Sequence, residues 1–192
     1  MKHRTLWVAV GVQRAQPQHT AEEATCLTRW AAGRRRLVEI GVAEGASALV
    51  IRRAMHPTGD LWLIDPFHLS RNPLFNTGLV AAKRTVNRCR RGRVHFIIET
   101  SQDAAREWSQ PIDFVFVDGD HRREAVLADW QGFSQWIEVG GVVLLHDAVR
   151  RPGHPNGPAD VIDELFRRRP LKGWQTVDLS GSIVAVQRMQ QK

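Results

Sequence analysis

Several residue types are scarce or missing in this chain of 192 residues. It has no tyrosine and only two cysteines, Cys26 and Cys89, which lack the spacing of a thiolate metal site or of a disulfide framework. No apolar run approaches the roughly 20 residues that a membrane-spanning helix needs. The longest run near the N-terminus, residues 6–12, is followed by no leader-peptide cleavage pattern. These absences predict a cytoplasmic protein with reduced thiols and no membrane partner.

The net charge of +7 comes almost wholly from arginine. A surface of this kind attracts anions over long distances. However, no basic run is interleaved with the aromatic residues on which nucleic-acid bases stack. The composition therefore disfavours a nucleic-acid partner.

Apolar runs and helical stretches alternate from Arg36 to the end of the chain, which indicates βαβ units and a parallel sheet in an α/β fold. The length and the 43% hydrophobic content suit one globular domain, expected over residues 36–192. Residues 1–35 are expected to form an N-terminal extension with a strand or turn and one helix. The predicted strands are 37–40, 61–64, 94–98, 114–117, 142–145, 174–179 and 183–187, and the predicted helices are 20–32, 46–55, 76–90, 101–108, 121–137 and 160–168.

Two glycine features set the expected boundaries near the end of the sheet. Gly140 and Gly141 are expected to end the helix at 121–137, so that the fifth strand starts at residue 142. Ser180, Gly181 and Ser182 separate the last two strands with residues typical of a hairpin. The sequence therefore predicts a parallel sheet that ends in an antiparallel hairpin.

Acidic and imidazole side chains follow two neighbouring strands. Asp118, Asp120 and His121 come just after the fourth strand, and His146 with Asp147 ends the fifth. Ligands of parallel α/β sheets bind outside the carboxyl ends of the strands. This arrangement predicts a shared pocket with a metal ion and a base.

A glycine loop follows the first strand at residues 39–47, EIGVAEGAS. Glycines in such a loop allow a sharp turn and a close approach to a ligand. The spacing is GxxxG rather than the GxGxxG of dinucleotide sites, and Glu39 and Glu44 would repel a pyrophosphate. Carboxylates instead suit a ligand that carries an ammonium and a sulfonium. Asp65 ends the second strand, where an acidic residue accepts hydrogen bonds from ribose hydroxyls.

Four motifs together resemble the class I S-adenosylmethionine-dependent methyltransferases: ExGxxxGxS at 39–47, LIDPF at 63–67, DFVFVDGDH at 113–121 and GGVVLLHDA at 140–148. The resemblance is narrower to bacterial metal-dependent O-methyltransferases related to the macrocin and mycinamicin sugar methyltransferases, and more distant to catechol O-methyltransferase. It covers residues 36–186. It implies a Rossmann-like, seven-stranded, mostly parallel sheet of order 3-2-1-4-5-7-6, with an antiparallel last strand and helices on both faces.

The resemblance also implies roles for single residues. The methionine end of the cofactor would lie at the glycine loop, the ribose at Asp65 and the adenine near Ser101. The cofactor-binding residues implied in this way are Glu39, Gly41, Gly45, Ser47, Asp65, Ser101, Gln102 and Asp118.

The metal site and the catalytic base come from the same resemblance. Asp118, His146 and Asp147 would hold a divalent cation, expected to be magnesium, and His121 would be the general base. His146 departs from the family pattern, which often has a carboxylate there, and an imidazole also accepts manganese, iron or zinc. Asp120 is the alternative ligand.

Plainer interpretations of these residues stay open at this point. Asp118 could cap the next helix, Asp65 before Pro66 fits an ordinary turn, and His121 could be an exposed residue of the first helical turn. Loop residues expected to overhang the acceptor, or simply to face solvent, are His68, Arg150, Arg151 and His154.

The function expected from the resemblance is methyl transfer to a hydroxyl of a sugar, an oligosaccharide or a glycosylated metabolite. S-adenosylmethionine and a divalent metal would be the cofactors, and the protein would be a homodimer. A catechol-type or other small-molecule O-methyltransferase is the alternative. Two further alternatives have less support: a protein that binds or modifies nucleic acid, and a non-catalytic binding module.

Overall fold

The computed structural model describes residues 2–67, 76–153, 156–168 and 170–190. Within these ranges no helix is long and apolar enough to span a bilayer. The helices are α1 (Lys2–Val10), α2 (Ala21–Ala31), α3 (Ala46–Ala54), α4 (Thr77–Val86), α5 (Ser101–Glu107), α6 (Arg123–Phe133) and α7 (Gly157–Ile162). The strands are β1 (Arg36–Ile40), β2 (Asp60–Ile64), β3 (Arg93–Ile97), β4 (Ile112–Val117), β5 (Ile137–Leu145), β6 (Trp174–Ser180) and β7 (Ile183–Arg188).

The seven strands form one sheet of order β3-β2-β1-β4-β5-β7-β6. The pairs among β1 to β5 are parallel, whereas β7 runs antiparallel to both β5 and β6. The predicted fold class, strand order and terminal hairpin are confirmed. In register, Ile40 at the end of β1 pairs with Ile64 of β2 and Val117 of β4, and Val117 pairs with Leu145 of β5. The carboxyl ends of these four strands therefore meet at one edge of the sheet.

The sheet is covered on both faces because successive side chains of its central strands are apolar. In β4, Phe114 and Phe116 point into a core shared with α2, α3 and α4, while Val115 and Val117 point to α5, α6 and α7. Strands covered on both faces have continuous rather than alternating apolar sequence. The polar groups at the strand ends are therefore carried by strands that are packed on both faces.

The N-terminal region differs from the prediction. Residues Lys2–Val10 form helix α1, where a strand or turn was expected, in addition to the expected helix α2. Val8 and Ala9 of α1 are buried against Ala81 of α4. The sequence of α1 is only weakly amphipathic, so its pattern alone does not indicate a helix. Packing of one side of α1 against α4 stabilises the helical conformation. The division into an extension and a domain at residue 36 stays a prediction.

The start of β5 was predicted wrongly. Helix α6 ends at Phe133, a short 3₁₀ turn follows, and β5 already begins at Ile137. Gly140 lies inside the strand with a φ of +82°, and the pairing with β4 shifts between Ile112 and Phe114. A glycine in the left-handed region forms a β-bulge within a strand as readily as it ends a helix.

Candidate active site

The glycine loop lies directly against the end of β4. Gly41 has a φ of +83°, and a Cβ at this position would lie 2.2 Å from the backbone oxygen of Asp118. The backbone N–H of Gly41 donates to Ile64 O at 3.0 Å, and that of Asp118 donates to Ile40 O at 2.8 Å. The loop is therefore held by backbone contacts to β2 and β4, and only glycine fits at position 41.

Glu39 and Ser47, at the two ends of this loop, are joined by a hydrogen bond. Glu39 is fully buried, and Ser47 Oγ donates to its Oε1 at 2.5 Å. Burial raises the pKa of Glu39 well above its ordinary value, although the Ser47 hydrogen bond opposes this shift. Its Oε2 is buried without a hydrogen-bond partner among the described residues. Gly45 begins α3 with a φ of +79° and packs against Ala82 and Val86 of α4.

Asp65 braces the loop from the end of β2. Its Oδ2 accepts hydrogen bonds from the backbone N–H groups of Val42 at 2.8 Å and Ala43 at 3.0 Å, and its Oδ1 accepts one from Phe67 at 2.7 Å. A carboxylate has about four lone-pair positions. Three donors already occupy Asp65, so its capacity for further donors such as ribose hydroxyls is small.

A cleft of about 1250 Å³ opens at the carboxyl edge of the sheet. This volume exceeds the roughly 300–1,000 Å³ of a typical small-molecule pocket. Residues predicted to bind the cofactor that line this cleft are Gly41, Ser47, Asp65, Ser101, Gln102 and Asp118.

The cleft is also lined by a buried acid, Asp129, which no sequence motif indicated. Ser101 Oγ, in the first turn of α5, donates to Asp129 Oδ1. Asp129 is only 3% exposed, and burial raises its pKa to about 6, with the Ser101 hydrogen bond opposing. A buried carboxylate with a raised pKa in a cleft is typical of a ligand-binding position.

Three of the polar residues that follow β4 and β5 lie close together. One potential ligand atom from each of Asp118, His121 and His146 lies within 4.8 Å of the others. Nδ1 of His146 lies 2.9 Å, and Nε2 of His121 lies 3.5 Å, from Oδ1 of Asp118. An acid and two imidazoles at these distances suit a divalent transition-metal ion. This set contains His121, the predicted base, in place of the predicted ligand Asp147.

Electrostatics within the cluster favour charged groups. Burial alone would raise the pKa of Asp118, but hydrogen bonds from His121 and His146 outweigh it and hold this pKa below its ordinary value. Burial alone would lower the pKa of His146, but the hydrogen bond to Asp118 and the nearby carboxylates raise it to about 9. The Asp118 carboxylate also raises the pKa of His121.

Asp147 and Asp120 lie differently in relation to this cluster. Oδ2 of Asp147 is 3.7 Å from His121 Nδ1 and 3.8 Å from His146 Nδ1, and Asp147 has an unusual φ of +48°. Asp120 is exposed and turned to Arg122, whose Nε donates to its Oδ2 at 2.8 Å and whose backbone N–H donates to Oδ1 at 2.9 Å. In this arrangement Asp147 borders the cluster, whereas Asp120 is engaged in a surface ion pair.

Two residues of the N-terminal region reach the cluster and were missed. Glu23 is 2% exposed, and its Oε2 lies 3.6 Å from Nε2 of His146. Its Oε1 accepts hydrogen bonds from the backbone N–H of Ser182 at 2.8 Å and from the Ser182 hydroxyl at 2.5 Å. Burial opposes, but these hydrogen bonds and one from the Thr20 N–H lower the pKa of Glu23 to about 2. His19 lines the cleft nearby, and burial lowers its pKa.

The sequence contained one signal for Glu23. Thr20 and Glu23 have the T-x-x-E spacing of a capping box, and both hydrogen bonds of that box are present. The contacts of Glu23 with Ser182 and His146 span more than 120 positions of the chain, which no local pattern indicates.

The expected acceptor loop is only partly described. Arg150 donates to Asp160 and to Asp163, and Nη1 of Arg151 lies 4.0 Å from Oδ1 of Asp147. His68 and His154 lie outside the described residues. Gly157 begins α7 so close to the loop after β4 that an added Cβ would lie 2.1 Å from the carbonyl oxygen of His121.

Sequence comparison identifies the class of protein that this fold and cleft define. The profile of a family described as "Methyltransferase domain" matches residues 38–148, which is more than half of the chain. The protein belongs to this family of methyltransferase domains, so the expected class of enzyme is confirmed. The matched region contains the glycine loop, Asp65 and the cluster at the ends of β4 and β5.

Solved structures share the fold over nearly the whole chain. Cofactor-bound Rv0187 from MTB matches with a TM-score of 0.75 at 17% identity, over 99% of this chain and 90% of that chain. The O-methyltransferase TomG from Streptomyces achromogenes, involved in tomaymycin synthesis and solved with SAM, matches with a TM-score of 0.65 at 17% identity, over 98% and 89%. The O-methyltransferase from Bacillus cereus, solved with SAH, matches with a TM-score of 0.66 at 18% identity, over 97% and 90%. At these identities the likeness establishes a shared fold.

Proposed function

We propose that this protein is an S-adenosylmethionine-dependent O-methyltransferase that uses a divalent metal ion and transfers a methyl group to a hydroxyl of a sugar, oligosaccharide or glycosylated metabolite. The observation that carries the proposal is the position of Asp118. Its carboxylate lines the cleft beside the glycine loop and also contacts both imidazoles of the cluster. One residue thus joins the cofactor cleft to a group of acids and bases.

The cleft suits a cationic cofactor. Glu44, Asp65 and Asp118 line it near the glycine loop, and carboxylates attract a sulfonium while they repel a phosphate. TomG, solved with SAM, and the Bacillus cereus O-methyltransferase, solved with SAH, share this fold and support the choice of cofactor. When bound, S-adenosylmethionine would supply an electrophilic methyl group, and a divalent cation would stabilise negative charge on the acceptor oxygen.

Asp118, His146 and Asp147 are the proposed metal ligands. Two carboxylates and an imidazole form a mixed oxygen and nitrogen donor set, which accepts manganese or iron as well as magnesium. The raised pKa of His146 means that cation binding must displace a proton from its imidazole. Metal affinity should therefore increase with pH.

His121 is the proposed general base. It follows β4, lies 3.5 Å from Asp118 and 3.7 Å from Asp147, and is about one quarter exposed. An aliphatic hydroxyl is a poor nucleophile until its proton is removed, and a positioned histidine is suited to accept that proton. The two neighbouring carboxylates orient the ring and stabilise the imidazolium that forms.

The acceptor class rests on the resemblance to sugar methyltransferases, and the size of the cleft is consistent with a cofactor together with a saccharide. Homodimerisation and cytoplasmic residence are part of the same proposal. Cys26 and Cys89, both free thiols, suit a reducing compartment.

Calorimetry and a transfer assay test the proposed function. We expect S-adenosylhomocysteine to bind, and purified protein with a divalent metal to methylate at least one member of a panel of mono- and oligosaccharides, detected by mass spectrometry. Transfer only to aromatic diols would instead favour a catechol-type enzyme. Undiminished transfer after exhaustive chelation would remove the metal from the proposal.

A further inference from the structure

The N-terminal segment forms one wall of the cleft. Arg4 and Thr5 of α1, together with the loop residues Gln16 to His19, line the same cleft as the glycine loop. Helix α1 is fixed there by the burial of Val8 and Ala9 against α4. Its polar side chains are therefore presented to the cleft by apolar packing.

Two side chains of α1 bind Glu44, the partly buried acid of the glycine loop. Nη2 of Arg4 donates to Oε2 of Glu44 at 2.6 Å, and the hydroxyl of Thr5 donates to Oε1 at 3.0 Å. Arg4 also donates to Gln16 in the loop after α1. The side chain of Glu44 is 15% exposed and that of Arg4 is 36% exposed, so both remain accessible from the cleft.

An ion pair that is still partly open to solvent contributes little to stability, on the order of 1 kcal/mol or less. The position of the Arg4–Glu44 pair beside the glycine loop suggests a role in ligand binding instead. The methionine end of S-adenosylmethionine carries a carboxylate and an ammonium on one carbon, and this end is expected at the glycine loop. A guanidinium matches a carboxylate with two parallel hydrogen bonds, and a carboxylate beside it matches the ammonium.

We propose that Arg4 and Glu44 bind the zwitterionic amino-acid end of the cofactor, with Arg4 contacting its carboxylate and Glu44 its ammonium. This inference rests on the proposed cofactor. Thr5 keeps one oxygen of Glu44 in place while the other turns to the ligand. The N-terminal helix, which precedes the region matched by the family profile, thereby becomes part of the cofactor site.

A purely mechanical role for the ion pair would be to hold α1 against the loop. The two roles differ in their dependence on the ligand. A mechanical contact would matter equally for every adenosyl thioether, whereas a binding site for the amino-acid end would matter only for ligands that carry that end.

Calorimetry on the full chain with S-adenosylhomocysteine and with 5′-methylthioadenosine separates these roles, because the second ligand lacks the amino-acid end. For Arg4→Met we expect affinity for S-adenosylhomocysteine to fall about 10- to 100-fold, as for a lost charge-assisted hydrogen bond, and affinity for 5′-methylthioadenosine to change by less than about twofold. Arg4→Lys keeps the positive charge but loses the two parallel N–H donors of the guanidinium, so its affinity for S-adenosylhomocysteine should lie between those of the unaltered protein and Arg4→Met. Arg53→Met, at an exposed arginine of α3, is the matched control and should change neither affinity.

An equal loss for both ligands, or no loss for either, would overturn the inference. If Arg4→Met does not fold, as judged by circular dichroism, the same comparison with Arg4→Lys decides. Binding of neither ligand by the unaltered protein would contradict the proposed cofactor itself, a result distinct from a failure of the Arg4 variants alone.

Discussion

Nδ1 of His146 lies 2.9 Å from Oδ1 of Asp118, so the residues that follow β4 and β5 are joined by a direct side-chain contact. Nε2 of the same imidazole is buried and faces Glu23. His146 thus connects the cluster at the edge of the sheet to the N-terminal region. The cluster is therefore in contact with α2 as well as with the ends of β4 and β5.

Asp118 and His146 should both be needed for metal binding. We expect the unaltered protein to bind Mn²⁺, measured by electron paramagnetic resonance of the free ion, and Asp118→Asn or His146→Ala to weaken binding at least about tenfold, as for loss of a ligand. His56→Asn changes a partly exposed histidine between α3 and β2, outside the cluster, and is the control. Unchanged Mn²⁺ affinity in both cluster variants would show that the ion binds elsewhere.

His121→Ala should lower turnover without weakening cofactor binding. Loss of a general base costs about 10²- to 10⁴-fold in rate, while His121 contacts Asp118 and Asp147 rather than the glycine loop. The measurements are kcat for the best acceptor and calorimetry with S-adenosylhomocysteine. Near-normal turnover with unchanged affinity would exclude His121 as the base.

Gly41→Ala should disrupt the cofactor loop. The added methyl would meet the backbone of Asp118, and the residue has a φ of +83°. Gly33→Ala is a matched control, since its φ is +71° but no atom lies within 4 Å of an added Cβ. In both variants the left-handed conformation of the new alanine should lower the free energy of unfolding by about 1 kcal/mol. Only Gly41→Ala should also lose affinity for S-adenosylhomocysteine, and comparable losses in both would argue against the steric explanation.

Glu23 should stabilise the fold in a pH-dependent way. Its pKa of about 2 lies below the ordinary value of 4.5, so its contribution is fully present above pH 4.5 and is lost as the pH falls towards 2. Glu23→Gln should reduce the free energy of unfolding at neutral pH by roughly 2–3 kcal/mol, and the difference should shrink with acidification. Urea unfolding along a pH series measures both. A difference that does not depend on pH would mean that the charge of Glu23 is unimportant.

Asp129 should cost stability at neutral pH. Its pKa of about 6 lies above the ordinary 3.8, so stability linked to its proton is complete below pH 3.8 and is lost as the pH rises through 6. Asp129→Asn keeps an oxygen that accepts from Ser101, and it should raise the free energy of unfolding at about pH 8 by roughly 1–3 kcal/mol but have little effect near pH 4. Glu124→Gln, at a side chain that is 82% exposed, is the control. A destabilised Asp129→Asn at the higher pH would contradict the burial argument.

Much of the sheet was predictable because it is covered on both faces. Runs such as FVFV before Asp118 indicate a buried strand regardless of context, and the hairpin residues Ser180 to Ser182 fixed the antiparallel end. The start of β5 was not predictable in the same way, since Gly140 is compatible with both a helix end and a bulge. Helix α1 was missed because its packing on α4, rather than its own sequence pattern, stabilises it.

The candidate site was predictable where each residue follows a strand. Asp118, His121 and His146 come together because parallel strands end at one edge. Glu23, Asp129 and Arg4 reach the same region from helices, and their long-range contacts have no local signature in the sequence. Glu39 has the motif position of a cofactor residue, but it is fully buried, which the motif alone does not indicate.

The antiparallel direction of β7 also determines where a tag can be attached without obstructing the cleft. Val184, at the start of this strand, pairs with Leu145 beside the cleft, whereas Gln187 pairs with Val142, further from it. The end of β7 therefore lies on the side away from the cleft, whereas Arg4 and Thr5 of α1 line the cleft. An affinity tag or fluorescent fusion placed after β7 should leave ligand entry open, and one attached ahead of α1 would compete for the entrance.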